Sequence, residues 1–175
     1  MTTTELPVRS RRLPDGTVIG LRELHEGDED ALRRLFYRLS PDTIRLRFLQ
    51  PIDRPSTRAL HYLAAVDHDR RQALAAVHDG EVIGVARYDR LREDPDKAEV
   101  AVVVEDAWQG RGVGKVLLDA LAKDARTHGV VSLLGTVMGE NRRMMAVAKH
   151  LAPQSRVRID HGEWEVETPL AVPAP

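Results

Sequence analysis

The sequence contains no cysteine, and this absence excludes several kinds of protein at once. Such a chain has no disulfide framework, no cysteine zinc site and no thiolate nucleophile. Its seven histidines form no His-x₃-His or His-Glu-x-x-His pair, so we expect no bound metal. No apolar run approaches the roughly 18 residues of a membrane span, and the polar start lacks the apolar segment of a secretory leader. We therefore expect a cytoplasmic protein with no membrane partner.

An excess of charge of one sign is also lacking, because the net charge is −1 at pH 7. Nothing global therefore indicates a nucleic-acid partner. A hydrophobic content of 42%, a charged content of 30% and a length of 175 residues are typical of one globular domain with a substantial core. We expect a flexible N-terminal arm over residues 1–13, one domain over residues 14–168 and a disordered tail over residues 169–175.

Local patterns predict a strand, then two or three helices, three strands, a helix, a strand, a helix and two final strands. Asp28, Ser40 and Ser56 stand where helix N-caps are expected. Asp79-Gly80 between two apolar runs is a strong hairpin signal. These elements predict an α/β (α+β) fold, in which helices flank a mixed sheet.

A glycine-rich turn over residues 109–114 lies between an apolar strand, Val100–Val104, and an amphipathic helix. Its sequence reads Gln-Gly-Arg-Gly-Val-Gly. A turn of this kind exposes backbone N–H groups at a helix N-terminus and binds anions, phosphates above all. A P-loop is excluded because Gln109 occupies its first glycine position and Val116 replaces its Ser/Thr. The dinucleotide fingerprint lacks its third glycine in both possible registers.

The pattern Gln-x-x-Gly-x-Gly, met by Gln109, Gly112 and Gly114, resembles the GNAT superfamily of acyl-CoA-dependent N-acyltransferases. The strand before the turn, the helix after it and the later Gly139-Glu140-Asn141 also fit, so the resemblance extends over residues 17–168. It implies a single GNAT-like domain with a mostly antiparallel sheet of about seven strands and about four to five helices. It also implies acetyl-CoA as co-substrate.

The candidate cofactor residues fall into three groups. The turn would hold the pyrophosphate of coenzyme A by its backbone N–H groups, with Arg111 and Lys115 adding charge. The resemblance implies that the backbone of the preceding strand contacts the pantetheine arm and the thioester, and that Asn141 contacts the cofactor. The full set is Val102, Val103, Val104, Gln109, Gly110, Arg111, Gly112, Val113, Gly114, Lys115 and Asn141. The alternatives are a plain strand–helix turn, a core strand and a simple N-cap.

Glu99 is the candidate catalytic base. A lysine acceptor has a pKa of about 10.4 and must lose a proton before it attacks the thioester. The resemblance implies a glutamate base at this position, and a solvent-facing strand residue is the alternative. Glu93 and Glu105 are weaker candidates for the base. No tyrosine follows Asn141, and Tyr88 is a conceivable general acid, so the acid stays unassigned.

The predicted function is transfer of an acetyl group from acetyl-CoA directly to an amine, because no cysteine can form an acyl-enzyme. The stretch Ser40–Phe48 resembles the early helix of bacterial protein-lysine acetyltransferases, which favours a protein lysine as acceptor. The alternatives are a small-molecule amine or antibiotic N-acetyltransferase, and a catalytically inert acyl-CoA-binding domain. The chain is expected to be a monomer or a homodimer.

Overall fold

The computed structural model describes residues 8–170, which form eight strands and five α-helices. The strands are β1 (Arg9–Arg12), β2 (Val18–Glu23), β3 (Arg71–His78), β4 (Glu81–Arg90), β5 (Lys97–Val104), β6 (Ser132–Met138), β7 (Arg156–Asp160) and β8 (Glu163–Pro169). The helices are α1 (Glu29–Arg38), α2 (Pro41–Phe48), α3 (Thr57–Ala64), α4 (Val113–Thr127) and α5 (Arg142–Leu151). Within the described part of the chain, no helix is both long enough and apolar enough to cross a membrane.

All eight strands lie in one sheet, in the order β1-β2-β3-β4-β5-β6-β8-β7. Every neighbouring pair is antiparallel except β5 and β6, which are parallel. The parallel pair is joined through α4, because parallel neighbours need a crossover connection. The predicted mixed, mostly antiparallel sheet flanked by helices is confirmed, with one strand more than expected.

The strand that the sequence did not reveal is β1. Its residues read Arg-Ser-Arg-Arg and are all exposed, so no apolar alternation marks it. It is held by antiparallel pairing with β2, from Arg9↔Leu21 to Arg12↔Val18. The flexible arm expected over residues 1–13 is therefore wrong for residues 9–12, and Leu13 behind them is buried.

The structure tests the predicted N-terminal arm and C-terminal tail only in part. Residues 1–7 and 171–175 lie outside the described residues, so the rest of the arm and most of the tail stay predictions. Residues 169 and 170 belong to the fold, since Pro169 ends β8 and Leu170 is buried. The backbone N–H of Leu170 donates to the carbonyl of Val131 at 2.8 Å.

Two apolar layers cover the two faces of the sheet. On one face, α4 buries Val113, Leu117, Leu121 and Ala125, which recur every four residues along one side of the helix. On the other face, residues of α1 and α3 pack on β3 and β4, and Leu60 of α3 is 1% exposed. Burying one such leucine contributes about 1.5–3 kcal/mol. The central strands are therefore held from both sides and form a firm base for β5.

The first turns of the helices show which of the predicted N-cap residues make a capping hydrogen bond. The predicted caps at Ser40 and Ser56 are confirmed, because each hydroxyl accepts the backbone N–H three residues later. Asp28 does occupy the N-cap position of α1, yet its side chain makes no capping hydrogen bond. Its carboxylate instead accepts two hydrogen bonds from Arg22, both at 2.8 Å. A bidentate arginine is the stronger partner, so Asp28 ties β2 to the start of α1.

Candidate active site

The parallel strands β5 and β6 separate soon after they meet. They pair only at Lys97↔Ser132, Ala98↔Leu133 and Glu99↔Leu134. Beyond that point β5 continues along β4, and β6 continues along β8. The divergence leaves a fork in the middle of the sheet, and a cleft of about 880 Å³ opens there. We call this space the fork cleft.

The backbone edge of β5 that faces the fork follows from its pairing with β4. The N–H of Glu105 donates to Ile83 and the N–H of Leu91 donates to Lys97, both at 2.9 Å. Antiparallel pairing alternates, so odd-numbered residues of β5 bond to β4, while even-numbered residues turn their backbone groups the other way. The groups that face the fork therefore belong to Val100, Val102 and Val104.

This alternation changes the set expected from the sequence. The backbone of Val103 is used by β4, so the structure does not bring its N–H and carbonyl to the fork. Val103 still lines the cleft, through its side chain. Val100 was missed, although counting in twos from Val102 would have found it. Side chains of the even-numbered valines pack on the α4 face, while that of Val103 packs on the α1 and α3 face.

The glycine turn leads from β5 into α4 with two residues in the left-handed region. Gly110 has φ 72° and Gly112, the N-cap of α4, has φ 95°. A Cβ on Gly112 would lie 3.3 Å from Cδ of Pro14, so both conformation and space favour glycine here. The first helical hydrogen bond runs from the N–H of Val116 to the carbonyl of Gly112.

The N-terminus of α4 therefore has the features of an anion site. Its first three N–H groups, those of Val113, Gly114 and Lys115, precede the first hydrogen bond of the helix. All three residues line the fork cleft, together with Gly110 and Gly112. Lys115 is exposed and adds a positive charge at the rim. The helix dipole adds to the attraction for a negative group at this end.

The side chain of Gln109 joins three elements around the cleft. Its amide nitrogen donates to the hydroxyl of Thr43 in α2 and to the carbonyl of Val104, both at 3.0 Å. Its amide oxygen accepts a hydrogen bond from Arg143 of α5 at 2.9 Å. Gln109 lines the cleft, but its hydrogen bonds go to the protein.

Arg111 turns away from the cleft. Its guanidinium pairs with Asp15 at 2.8 Å, donates to the hydroxyl of Thr17 and lies over the ring of Trp108. The pKa of Asp15 falls to about 2 because its carboxylate accepts hydrogen bonds from Thr17 and Arg111. Of the predicted cofactor residues, Arg111 is the one that the structure places outside the lining of the cleft.

Asn141 stands at the start of α5 and lines the opposite wall of the cleft. Its side-chain oxygen accepts the backbone N–H of Met144 at 3.1 Å, so it is an N-cap. Arg142 and Arg143 follow it and also line the cleft. The sequence analysis did not select these two arginines. The available signal was a pair of consecutive basic residues that directly follows the cap of α5, close to the predicted anion site.

Glu99 occupies the last paired position before the fork opens. Its side chain is exposed. Because side chains alternate along a strand, it lies on the face of Ala101 and Val103, opposite α4. Glu93 is exposed in the loop between β4 and β5, and Glu105 pairs with Arg38 at 3.0 Å. The backbone of Glu99 thus lies where the fork begins, but neither Glu99 nor Glu93 is among the residues that line the fork cleft. Glu105 is held by its ion pair with Arg38.

Tyr88 does not reach the cleft. It is fully buried on the α4 side, where its hydroxyl donates to Asp124 at 3.1 Å. Burial, and then the neighbouring charge of Asp124, raise its pKa above the ordinary value of 10.0. A tyrosine held in this way is a packing residue, and a role as general acid has no geometric support.

Helix α2 forms a wall of the cleft that the sequence analysis did not anticipate. Asp106 receives the backbone N–H and hydroxyl of Ser40 and the hydroxyl of Thr43, which fixes the start of α2 beside the glycine turn. Burial raises the pKa of Asp106, but these hydrogen bonds outweigh it and the net pKa is lowered. Arg45 of α2 reaches across to Glu140 at 2.5 Å. This ion pair connects α2 to the loop before α5.

Comparison with known proteins agrees with this geometry. The family model described as the Acetyltransferase (GNAT) family matches residues 35–152. Acetyltransferase PA5475 of Pseudomonas aeruginosa is 35% identical over 136 residues, which cover 75% of this chain and 73% of that protein. Acetyltransferase Pat of Mycolicibacterium smegmatis is 31% identical over 150 residues, covering 85% of this chain and 44% of that protein. The crystal structure of the GNAT domain of S. lividans PAT superposes with a TM-score of 0.86 at 30% identity, covering 93% and 97% of the two chains.

The forked sheet, with the open N-terminus of α4 beside it, and the matches to acetyltransferases together define an acyl-CoA-dependent acyltransferase. The chain belongs to the GNAT family of acetyltransferases, as its sequence and its fold both show. The resemblance stated from the sequence is thereby confirmed. The chain spans less than half of the Mycolicibacterium smegmatis relative, so the activities of that longer protein do not transfer to it directly.

Proposed function

We propose that the chain transfers an acetyl group from acetyl-CoA directly to the side-chain amine of a protein lysine, in the cytoplasm. The observation that carries this proposal is the fork cleft, where the free backbone edge of β5 lies beside the open first turn of α4. Absence of cysteine from the chain favours direct transfer over an acyl-enzyme.

The cofactor would lie along the cleft with its charged end at α4. The N–H groups of residues 113–115 would hold the pyrophosphate, and Lys115, Arg142 and Arg143 would add positive charge. The N–H groups of Val102 and Val104 face the fork and would contact the pantetheine arm and the thioester carbonyl. Fixed N–H donors of this kind stabilise the charge that develops on the carbonyl oxygen. Asn141 adds a polar contact from the opposite wall.

Glu99 is proposed as the base that takes the proton of the attacking amine. It lies at the root of the fork, on the face opposite the helix that anchors the cofactor. Donor and acceptor would then approach the thioester from opposite faces of the sheet. Its exposure allows the proton to pass on to solvent. A positioned carboxylate of this type contributes about 10²–10⁴-fold to the rate.

The lysine acceptor is supported by α2, which forms a wall of the cleft. Its sequence, Ser40–Phe48, resembles the corresponding helix of bacterial protein-lysine acetyltransferases. A small-molecule amine is the second candidate, because a separate apolar pocket adjoins the cleft on the acceptor side. A protein lysine needs only its side chain to enter, whereas that pocket has room for a whole small molecule.

The acceptor is tested by incubating the protein and acetyl-CoA with a lysine-bearing protein and, separately, with a panel of small amines. We expect acetyl-lysine in the protein substrate by mass spectrometry, and release of free coenzyme A at the same rate. Turnover of small amines alone would replace the lysine acceptor by the second candidate. Binding of coenzyme A without turnover of any amine would favour an inert binding domain.

The role of Glu99 is tested by Glu99→Gln, with Glu93→Gln as the matched control. We expect kcat to fall more than about tenfold in the first variant, with unchanged affinity for acetyl-CoA. Glu93→Gln should behave as the wild type. Near-wild-type activity of Glu99→Gln across pH 6 to 9 would remove Glu99 from the mechanism.

A further inference from the structure

A second pocket, of about 270 Å³, lies between the sheet and helices α1 and α3. Its walls are almost entirely apolar and include Leu24, Leu35, Phe36, Leu60, Leu63 and Val85. Exposed residues of the loop after α2, Arg54 and Ser56 among them, also line the pocket. Two further arginines, Arg47 and Arg87, project into this apolar surface. We call it the arginine pocket.

The charge in the arginine pocket is not balanced by the protein around it. Arg87 is 4% exposed and donates to Asp89 at 3.3 Å, and Asp89 also accepts a hydrogen bond from Arg71 at 2.9 Å. One carboxylate therefore serves two arginines. The guanidinium of Arg47 lies over the ring of Phe48, 4.8 Å from its centroid, and has no hydrogen-bonded or ion-paired partner within residues 8–170.

The pKa of Arg47 also reflects the shortage of negative charge around it. Burial first, and then the positive charge of Arg87, lower this pKa to about 10, and the negative charge of Asp89 only partly opposes them. The arginine stays charged at neutral pH, and its half-buried surface borders the pocket and the fork cleft. A charged group that is partly withdrawn from water costs free energy unless it is paired. An anion in the pocket would supply the missing partner.

The arginine pocket adjoins the fork cleft, where the thioester is proposed to lie. Arg47 and Val103 line both the arginine pocket and the fork cleft. Val103 lies on the acceptor face of β5, the same face as Glu99. A molecule that occupies the pocket can therefore extend toward the thioester from the side of the proposed base.

We propose that the arginine pocket binds a carboxylate carried on a short aliphatic chain. The apolar walls take the chain, and the guanidinium of Arg47 takes the carboxylate in the bidentate geometry that arginine favours. At about 270 Å³ the pocket is close to the lower end of the range of roughly 300–1,000 Å³ for small-molecule sites, so it suits a short ligand. The carboxylate belongs either to an amino-acid acceptor or to the far end of a dicarboxylic acyl group on coenzyme A. Its connection to catalysis rests on the proposed function, but its binding does not.

Binding is tested by NMR-detected titration of the protein with pentanoate, and with pentanamide as the uncharged control of the same shape. We expect pentanoate to bind with Kd on the order of 1 mM, as suits so small a ligand. Pentanamide should bind at least about tenfold more weakly, because it loses the charge-assisted hydrogen bonds. Equal affinity for the two ligands, or binding of neither, would overturn the proposal.

The residue assignment uses Arg47→Met, with Arg58→Met as the matched control, since Arg58 is exposed and lies outside the pocket lining. We expect Arg47→Met to weaken pentanoate at least about tenfold and Arg58→Met to leave it unchanged. Arg47→Lys keeps the charge and should retain part of the affinity, which guards against a folding defect in Arg47→Met. Unchanged pentanoate affinity in a folded Arg47→Met would refute the assignment.

Two kinetic arms identify the source of the carboxylate. If it belongs to the acyl group, Arg47→Met lowers kcat/KM for succinyl-CoA at least about tenfold more than for butyryl-CoA. If it belongs to the acceptor, the same selectivity is seen between 5-aminopentanoate and pentylamine. If Arg47→Met lowers kcat/KM equally for both members of each pair, the connection of the pocket to catalysis is refuted. The pentanoate titration decides separately whether the pocket binds a carboxylate. Failure of the proposed function is distinct, because it would abolish turnover with every acyl-CoA and amine.

Discussion

Gln109→Ala is expected to destabilise the fold rather than to remove a ligand of the cofactor. The side chain makes three hydrogen bonds, to Thr43, Val104 and Arg143, and so holds α2, β5 and α5 around the cleft. A net contribution of about 1 kcal/mol each gives an upper value of about 3 kcal/mol. Arg143 is exposed and its bond is worth less, so we expect a loss of about 2 kcal/mol.

The loss is measured by urea denaturation and thermal melting of the wild type and the variant. At about 2–4 °C per kcal/mol for a chain of this size, Tm should fall by about 4–8 °C. Arg143→Ala is the matched control, because it removes one of the three bonds and should cost less than about 1 kcal/mol. Gln109→Glu should be at least as harmful as alanine, since its carboxylate would face the carbonyl of Val104.

A different result for Gln109→Ala is expected if Gln109 binds the cofactor directly. A direct ligand of the cofactor would behave in the opposite way, with Tm of Gln109→Ala within about 1 °C of the wild type and a marked loss of acetyl-CoA affinity. That outcome would refute the assignment of Gln109 as a structural connection between the three elements.

Two further predictions concern the glycine turn and its neighbour. Gly112→Ala should cost about 1–3 kcal/mol in urea denaturation, because φ is 95° and the new Cβ would lie 3.3 Å from Pro14. Gly114→Ala should cost nothing measurable or stabilise slightly, since its Cβ would make an ordinary 3.6 Å contact and helices favour alanine; equal losses in both would contradict this account. Asp15 has a pKa lowered from 3.8 to about 2, so its stabilisation is present above pH 3.8 and is lost as the pH falls toward 2. The stability difference between wild type and Asp15→Asn should shrink over that interval, and a constant difference would show that the carboxylate is not held as described.

Elements with strong local signals were predictable from the sequence. The hairpin at Asp79-Gly80, the serine caps of α2 and α3 and the apolar side of α4 all depend on residues close together in the chain. The glycine turn was predictable for the same reason, because its positive φ values need glycine wherever the rest of the chain lies. These signals were enough to predict an anion site at the start of α4, whereas the fork between β5 and β6 appears only in the pairing of the strands.

Features that depend on distant partners were not predictable. Strand β1 carries no apolar pattern, because only its backbone pairing with β2 orders it. Arg111 lies in the motif, yet the β1–β2 turn offers it Asp15 and Thr17, about a hundred residues away along the chain. The role of Val103 depended on the register of β5 against β4. The arginine pocket has no sequence motif at all, because residues of three helices and the sheet meet only in the folded protein.

A crystal structure of the complex with acetyl-CoA tests the central claim most directly. We expect the pyrophosphate within hydrogen-bonding distance of the N–H groups of residues 113–115. The pantetheine arm and the thioester carbonyl should contact the backbone of Val100, Val102 or Val104 and leave that of Val103 bonded to β4. A cofactor bound outside the fork between β5 and β6, or with its pyrophosphate away from the start of α4, would contradict the account.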